Sequence, residues 1–312
     1  MSGPFMTSIT PAKSIVTIAD GDMRRGALAA LGAYVVWGFF PILFHLLDGV
    51  GADLVVAHRV VWSMLVVSVI LLATGRWDEV RAAFANRATL IRIFISAVIL
   101  AFNWLVYVWA VEQNRVLETS FGYFLNPLVN VALGMVLLGE RQNRWQWVAI
   151  AIALVAMAIQ AIGMSGIPWI ALSLAISFAL YGYSRKTVKA SSATGLFVET
   201  LVLLPVALAY VGYSIATEGI GPHADPRLMA LLVFTGPATS LTLLLFAYAV
   251  QRLRLTTIGI LQYIAPSIQF VLAIAFFGEE LNLTRLVSFA LIWVSLAIFT
   301  ADSLRRRPAG TR

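Results

Sequence analysis

Stretches of about 20 residues with few or no charged side chains recur along the chain, separated by short polar segments that hold most of its Lys, Arg, Asp and Glu. A helix needs about 20 mostly apolar residues to cross the hydrocarbon of a bilayer. Ten such windows can be drawn: 26–47, 52–73, 93–111, 119–139, 147–163, 168–184, 196–217, 228–250, 255–278 and 286–301. The first contains His45, the second is interrupted by His58 and Arg59, and the seventh carries Glu199 near its start. Strands of a membrane β-barrel alternate apolar and polar over about 10 residues. Here the apolar runs are continuous and twice that long, so the pattern predicts an all-α integral membrane protein of ten transmembrane helices.

Composition agrees. The 312 residues are 60% hydrophobic and 12% charged, whereas a soluble domain runs about 45–50% apolar and about 25% charged. Too little polar surface is available for a soluble fold, and too much apolar surface for a disordered chain. Without cysteine, disulfides, thiolate metal sites and cysteine nucleophiles are excluded. The net charge of +7 does not imply nucleic acid, because the basic residues are spread over six segments instead of one face. With both termini cytoplasmic, 17 of the 22 Lys and Arg fall on cytoplasmic segments and three, Arg115, Arg227 and Arg285, on outer loops; Arg59 and Arg92 lie in spans. That asymmetry is the positive-inside pattern, and anionic inner-leaflet lipid is the expected partner of the basic loops. Residues 1–23 read as a mobile cytoplasmic tail without the features of a signal peptide, and 304–312 as a basic cytoplasmic tail.

Sliding the chain against itself by 139 residues aligns Ala110-Val111 with Ala249-Val250, Arg115 with Arg254, Pro127 with Pro266, Leu133 with Leu272, Gly139-Glu140 with Gly278-Glu279, and Asn143 with Asn282. Each half, 24–164 and 165–303, then holds five spans. Five is odd, so the second half enters the membrane inverted. Inverted repeats mark transporters, whose sites lie near the midplane between the halves.

Proline cannot donate its amide and crowds the carbonyl four residues back. Pro127 therefore frees the carbonyl of Tyr123, and Pro266 that of Gln262, its equivalent. Interrupted spans at matching positions point to a binding region. Tyr123, Asn126 and Asn130 share a helical face, with Gln262 and Gln269 at the positions matching Tyr123 and Asn130. Tyr34, Trp37 and Pro41 share a face of the first helix, Asn103 and Tyr107 one of the third, and Tyr181 and Tyr248 are mid-span. These polar and aromatic groups either line a cavity or bond helix to helix; the mixed lining suits a small, partly apolar, zwitterionic solute.

A charge in a span costs roughly 2.5–3.5 kcal/mol on insertion scales. Arg59 and Glu199 correspond under a shift of 140, each about one and a half turns into its helix. An Arg59–Glu199 ion pair is expected, serving as a latch between the halves or as a gate. No enzyme signature is present: the histidines lack ligand spacing, no carboxylates face each other within a helix, and no phosphate loop occurs. No two glycines are four apart, so no G-x-x-x-G dimerising face exists.

Several strings resemble the drug/metabolite transporter superfamily, EamA type, and most closely its RarD-like branch. They include Ala33-Tyr34 through Trp37-Gly38, Ala57-His58-Arg59 with Trp62-Ser63, Asn103-Trp104 with Trp109-Ala110-Val111, Glu118 through Pro127-Leu128, Ser177 through Gly182 with Arg185-Lys186, Gly195-Leu196 through Glu199-Thr200, and Leu261 through Pro266. The resemblance covers about residues 24–303. It implies a bacterial inner-membrane exporter of ten helices in two inverted five-helix repeats, moving amino acids or similar metabolites by alternating access. Drugs or other amphiphiles are the alternative substrates, and a membrane enzyme or receptor the alternative class. The resemblance places the cavity between helices 1, 3, 4 and 6, 8, 9. The chain is expected to act as a monomer, with no cofactor and no metal. Pro41 aligns with Arg185 in the second half, so the sixth helix is expected to run straight where the first kinks.

Overall fold

A computed structural model of the chain describes residues 20–113, 115–161, 168–278 and 283–305. Every regular element among them is a helix. The first predicted span is divided into α1 (Asp20–Gly38) and α2 (Phe40–Leu46), and α3 (Ala52–Thr74) is the second. A short α4 (Trp77–Ala85) precedes α5 (Arg87–Glu112), α6 (Val116–Leu138) and α7 (Arg144–Ala161). The second half contains α8 (Trp169–Thr187), α9 (Ser192–Glu218), a one-turn α10 (Gly221–Ala224) and α11 (Pro226–Arg252). It ends with α12 (Leu255–Gln262), α13 (Ile264–Ala275) and α14 (Leu283–Arg305). Of the expected tails, 1–19 and 306–312 lie outside the described residues, as do Glu279 and Asn282 of the repeat alignment. Asp20 already belongs to α1.

Among the described residues nine segments are long and apolar enough to span a membrane, α1 with α2 and α12 with α13 each counting as one. The missing one is α8, whose Ser, Tyr, Arg185 and Lys186 dilute its apolar character. That composition suits its place: α8 packs against α5, α6 and α11 and buries Ile170, Leu174, Tyr181 and Arg185 completely or nearly so. A helix enclosed by protein has little lipid to satisfy, and polar side chains can find partners there.

The helix breaks have local causes. Pro41 sits at the start of α2 and leaves the Trp37 carbonyl without its helical donor. That carbonyl accepts a hydrogen bond from Gln269 Nε2 at 3.2 Å. In the second half the chain breaks at Tyr263, three residues before Pro266, whereas α6 passes through Pro127 uninterrupted. α8 is continuous where its counterpart is broken.

Packing of α3 against two helices of the second half places its charged and aromatic side chains. α3 and α9 run antiparallel side by side: Tyr210 of α9 donates to Asp53 at the start of α3, and Thr200 meets Met64 Sδ at 3.4 Å. α3 also crosses α11 at Gly236, where a Cβ would stand 2.2 Å from that of Trp62; Ser63 Oγ donates to the Gly236 carbonyl at 3.2 Å. Small residues that let backbones approach are the usual means of packing helices in lipid. Just beyond α3, Arg76 donates two hydrogen bonds to Glu79, at 2.7 and 2.9 Å. Glu79 also accepts from Ser191 and Thr194 at the start of α9. The Arg76 guanidinium, helped by those hydroxyls, holds the Glu79 carboxyl below its ordinary pKa.

Candidate functional site

Arg59, in the second turn of α3, is met by side chains from four other helices. Its Nε donates to Thr239 Oγ1 of α11 at 3.0 Å. Its guanidinium carbon lies 5.1 Å from the Trp104 ring centre on α5, and 5.9 Å from those of Phe40 and Phe44 on α2. Tyr107 of α5 and Tyr123 of α6 stand within electrostatic reach, their rings 6.1 Å apart. Cation–π contact at such distances contributes about 0.5–2 kcal/mol, which offsets much of the roughly 2.5–3.5 kcal/mol cost of the charge. Among the described residues no carboxylate pairs with Arg59.

The expected Arg59–Glu199 ion pair is therefore corrected. Glu199 pairs with Arg185 of α8, Oε1 to Nη1 at 3.6 Å, with both side chains essentially inaccessible. Glu199 also accepts from Ser96 at 2.6 Å and from Tyr181 at 3.3 Å. Equal distance from each helix start is not equal depth: α3 and α9 are antiparallel, so matching distances put the two residues towards opposite ends. The sequence pattern marks neither Arg185 nor Ser96 as a partner, and Arg185 reads as a loop cation. Gly195 is the signal that could have found the pair, since only a residue without a Cβ leaves room for that guanidinium.

The other cavity candidates separate into groups. Tyr107 and Tyr123 stand near Arg59. Tyr34, Trp37 and Tyr181 form a closed aromatic cluster with Phe178 and Phe246, ring centres 5.3–6.5 Å apart. Tyr34 and Tyr181 are fully buried, and Tyr34 donates to the Ile258 carbonyl at 3.2 Å. Asn103 donates to the Leu174 carbonyl and to Ser177. Asn126, Asn130 and Gln262 bond in a chain, with Asn130 Nδ2 2.9 Å from Gln262 Oε1. Gln269 serves the carbonyl freed by Pro41, and Tyr248 stacks under Arg252 with 3.4 Å from Cζ to the ring centre. Most of the polar candidates thus hold helices together, whereas Arg59 is surrounded chiefly by aromatic rings.

Two contacts fasten the ends. Trp62 Nε1 donates to His58 Nδ1 at 3.1 Å, and His58 Nε2 lies 3.0 Å from Nε2 of His223 in α10. Accepting from Trp62 requires His58 to carry its proton on Nε2, so His58 is the donor to His223. At the end of α6 distant from Arg115, Glu140 accepts from the amides of Leu255 and Thr256 at 2.6 and 2.9 Å and from Thr256 Oγ1 at 2.6 Å. Arg254 Nε stands 3.7 Å away. This carboxylate caps α12, where backbone N–H groups and the helix dipole favour an anion. No group of three or more potential metal ligands occurs among the described residues.

Residues 24–161 match the EamA-like transporter family. Protein RarD of Salmonella typhi is 43% identical over 284 residues, covering 90% of this chain and 96% of that protein. An uncharacterized transporter of Vibrio cholerae serotype O1 is 38% identical over 296 residues, covering 93% and 97%. A crystal structure of a protein 17% identical in sequence superposes with a TM-score of 0.69, covering 90% of this chain and 98% of its own, so the two share a fold.

Proposed function

Because the chain belongs to the EamA-type drug/metabolite transporters, in their RarD-like branch, we propose that it exports amino acids or similar small metabolites from the cytoplasm by alternating access. It is a multi-pass inner-membrane transporter and not an enzyme; substrate class, direction and mechanism are our reading. α8 counts as the tenth span, and residues 24–164 and 165–303 act as two inverted five-helix repeats with both termini cytoplasmic. One chain forms one complete pathway.

The observation that carries the reading is the cluster of side chains around Arg59, which we take as the wall of a chamber. Five helices contribute to it, α2, α3, α5 and α6 from the first half and α11 from the second. A site shared between two repeats changes shape when one repeat rocks against the other. The Glu140 clamp joins α6 of the first half to α12 of the second on the cytoplasmic side. In the rocking step it releases the Leu255 and Thr256 amides, while the His58–His223 contact closes or opens the far side. Arg185–Glu199 and the aromatic cluster around Phe246 stay packed.

Export of drugs or other amphiphiles is a second reading, favoured by the aromatic walls of Phe40, Phe44 and Trp104. A counterflow screen of the twenty amino acids with purified protein in liposomes separates the two. Saturable exchange of a subset, unaffected by an apolar dye, supports metabolite export. Competition by the dye supports amphiphile export, and no exchange above empty liposomes for any solute refutes both.

A further inference from the structure

The wall of the chamber has an asymmetry that narrows what it holds. Nε of Arg59 is engaged by Thr239, which leaves the two terminal nitrogens of the planar guanidinium for a ligand. Those nitrogens form a fork that matches a carboxylate with two parallel hydrogen bonds. Arg59 is partly exposed, so the fork is not sealed within the packing. Around it stand Phe40 and Phe44 from α2, Trp104 and Tyr107 from α5, Tyr123 from α6 and Thr239 from α11. Not one of these is anionic. Acidic groups on α3, α6 and α9 have their own partners: Asp53 accepts from Tyr210, Glu118 pairs with Arg115 at 2.6 Å, and Glu199 pairs with Arg185.

We propose that this chamber is a carboxylate site, and that the transported solute is a monocarboxylate with an apolar or aromatic body and no requirement for an ammonium group. The inference rests on the transport reading and specifies its substrate. The carboxylate takes the two free guanidinium nitrogens, and the apolar body lies against Phe40, Phe44 and Trp104. An ammonium has no carboxylate to meet it and shares the chamber with a cation, which costs binding. A zwitterionic amino acid is therefore tolerated through its carboxylate and gains little from its amine. The zwitterion expected from the mixed lining gives way to an organic anion, because Arg59 is uncompensated where a pair with Glu199 would have neutralised it.

Three probes that differ chiefly in charge test this with the full-length protein: 3-phenylpropanoate, phenylalanine and phenethylamine. Binding is read by thermal shift and by quenching of tryptophan fluorescence in detergent, and exchange by counterflow in liposomes. The expected order is 3-phenylpropanoate at least equal to phenylalanine, with phenethylamine weakest. Arg59→Gln is expected to weaken 3-phenylpropanoate about 10-fold or more, as loss of charge-assisted hydrogen bonds does, and Arg59→Lys to weaken it less. Melting temperatures of the two variants at or above that of the parent show that the loss is local. Phenethylamine binding as well as 3-phenylpropanoate overturns the proposal, and so does no binding of any probe to the parent protein. Unchanged 3-phenylpropanoate binding by folded Arg59→Gln also overturns it. Arg59-dependent binding without exchange upholds the site and refutes carriage of that ligand. Exchange of other solutes with no carboxylate binding refutes the site and leaves the carrier reading standing.

Discussion

Gly195→Ala adds one methyl group at the most confined glycine among the described residues. A Cβ at residue 195 would stand 1.7 Å from Nη1 of Arg185, 2.5 Å from its Cζ and 2.6 Å from Nη2. No rotamer of alanine avoids this, so the guanidinium must move, and it is 0% exposed. Moving it breaks the ion pair to Glu199 and the 3.2 Å hydrogen bond from Nη2 to the Ser192 carbonyl. Breaking a buried pair so that its charges lose compensation costs about 3–5 kcal/mol. Overpacking alone costs about 1–3 kcal/mol, so a total near 3–5 kcal/mol is expected. Equilibrium unfolding in mixed micelles measures it, and a second background isolates the cause. In Arg185→Met the flexible thioether yields, and Gly195→Ala should then cost below about 1 kcal/mol. A cost under about 1 kcal/mol in the parent protein, or equal costs in both backgrounds, would falsify the assignment of Gly195 as the space for Arg185.

The polar contacts at the helix ends around Glu79 and Glu140 give two further expected outcomes. Glu79→Gln should lower the melting temperature at neutral pH. Because the folded carboxyl titrates below its ordinary value, the stabilisation is full above the unfolded pKa and is lost as pH falls through the folded one. A melting curve series from pH 7 downward should therefore show parent and variant converging in acid; a constant gap would count against the Arg76 contact as the cause. Glu140→Gln should weaken the cap on α12 by about 1–2 kcal/mol, seen as amide exchange at Leu255 and Thr256 about 5–30-fold faster. Unchanged exchange there would show that the clamp carries no strain between α6 and α12.

The spans are legible because charge is so costly in hydrocarbon that its absence over about 20 residues has one main explanation. One span tests the limit of that rule: 168–184 is free of charge, yet α8 is held by protein on several sides and carries Arg185 into the interior. Amphipathic α4 reads as a loop because its nine residues are too short and too polar to register as a span. Proline positions show where carbonyls are freed but not which groups take them; Gln269 on the Trp37 carbonyl is a contact 232 residues apart. Tyr107 and Tyr123 stand out in the sequence, but nothing in its pattern marks Arg59 as their neighbour. Distance along a helix does not carry depth across an antiparallel pair, which is why repeat matching pairs Arg59 with the wrong carboxylate. His58 cannot be matched to His223 from sequence at all, since the pair joins α3 to a one-turn helix 165 residues later.

Alternating access is the central claim, and the absence of cysteine from the chain allows a direct measurement. A single Tyr123→Cys places a thiol at a position 39% exposed near Arg59. In oriented vesicles, a membrane-impermeant maleimide is applied first to one face and then to the other, with and without an exchanged solute. The account predicts labelling from both faces, at rates that shift in opposite directions when solute is added. Labelling from one face alone, under every condition in which the same preparation exchanges solute, would contradict it.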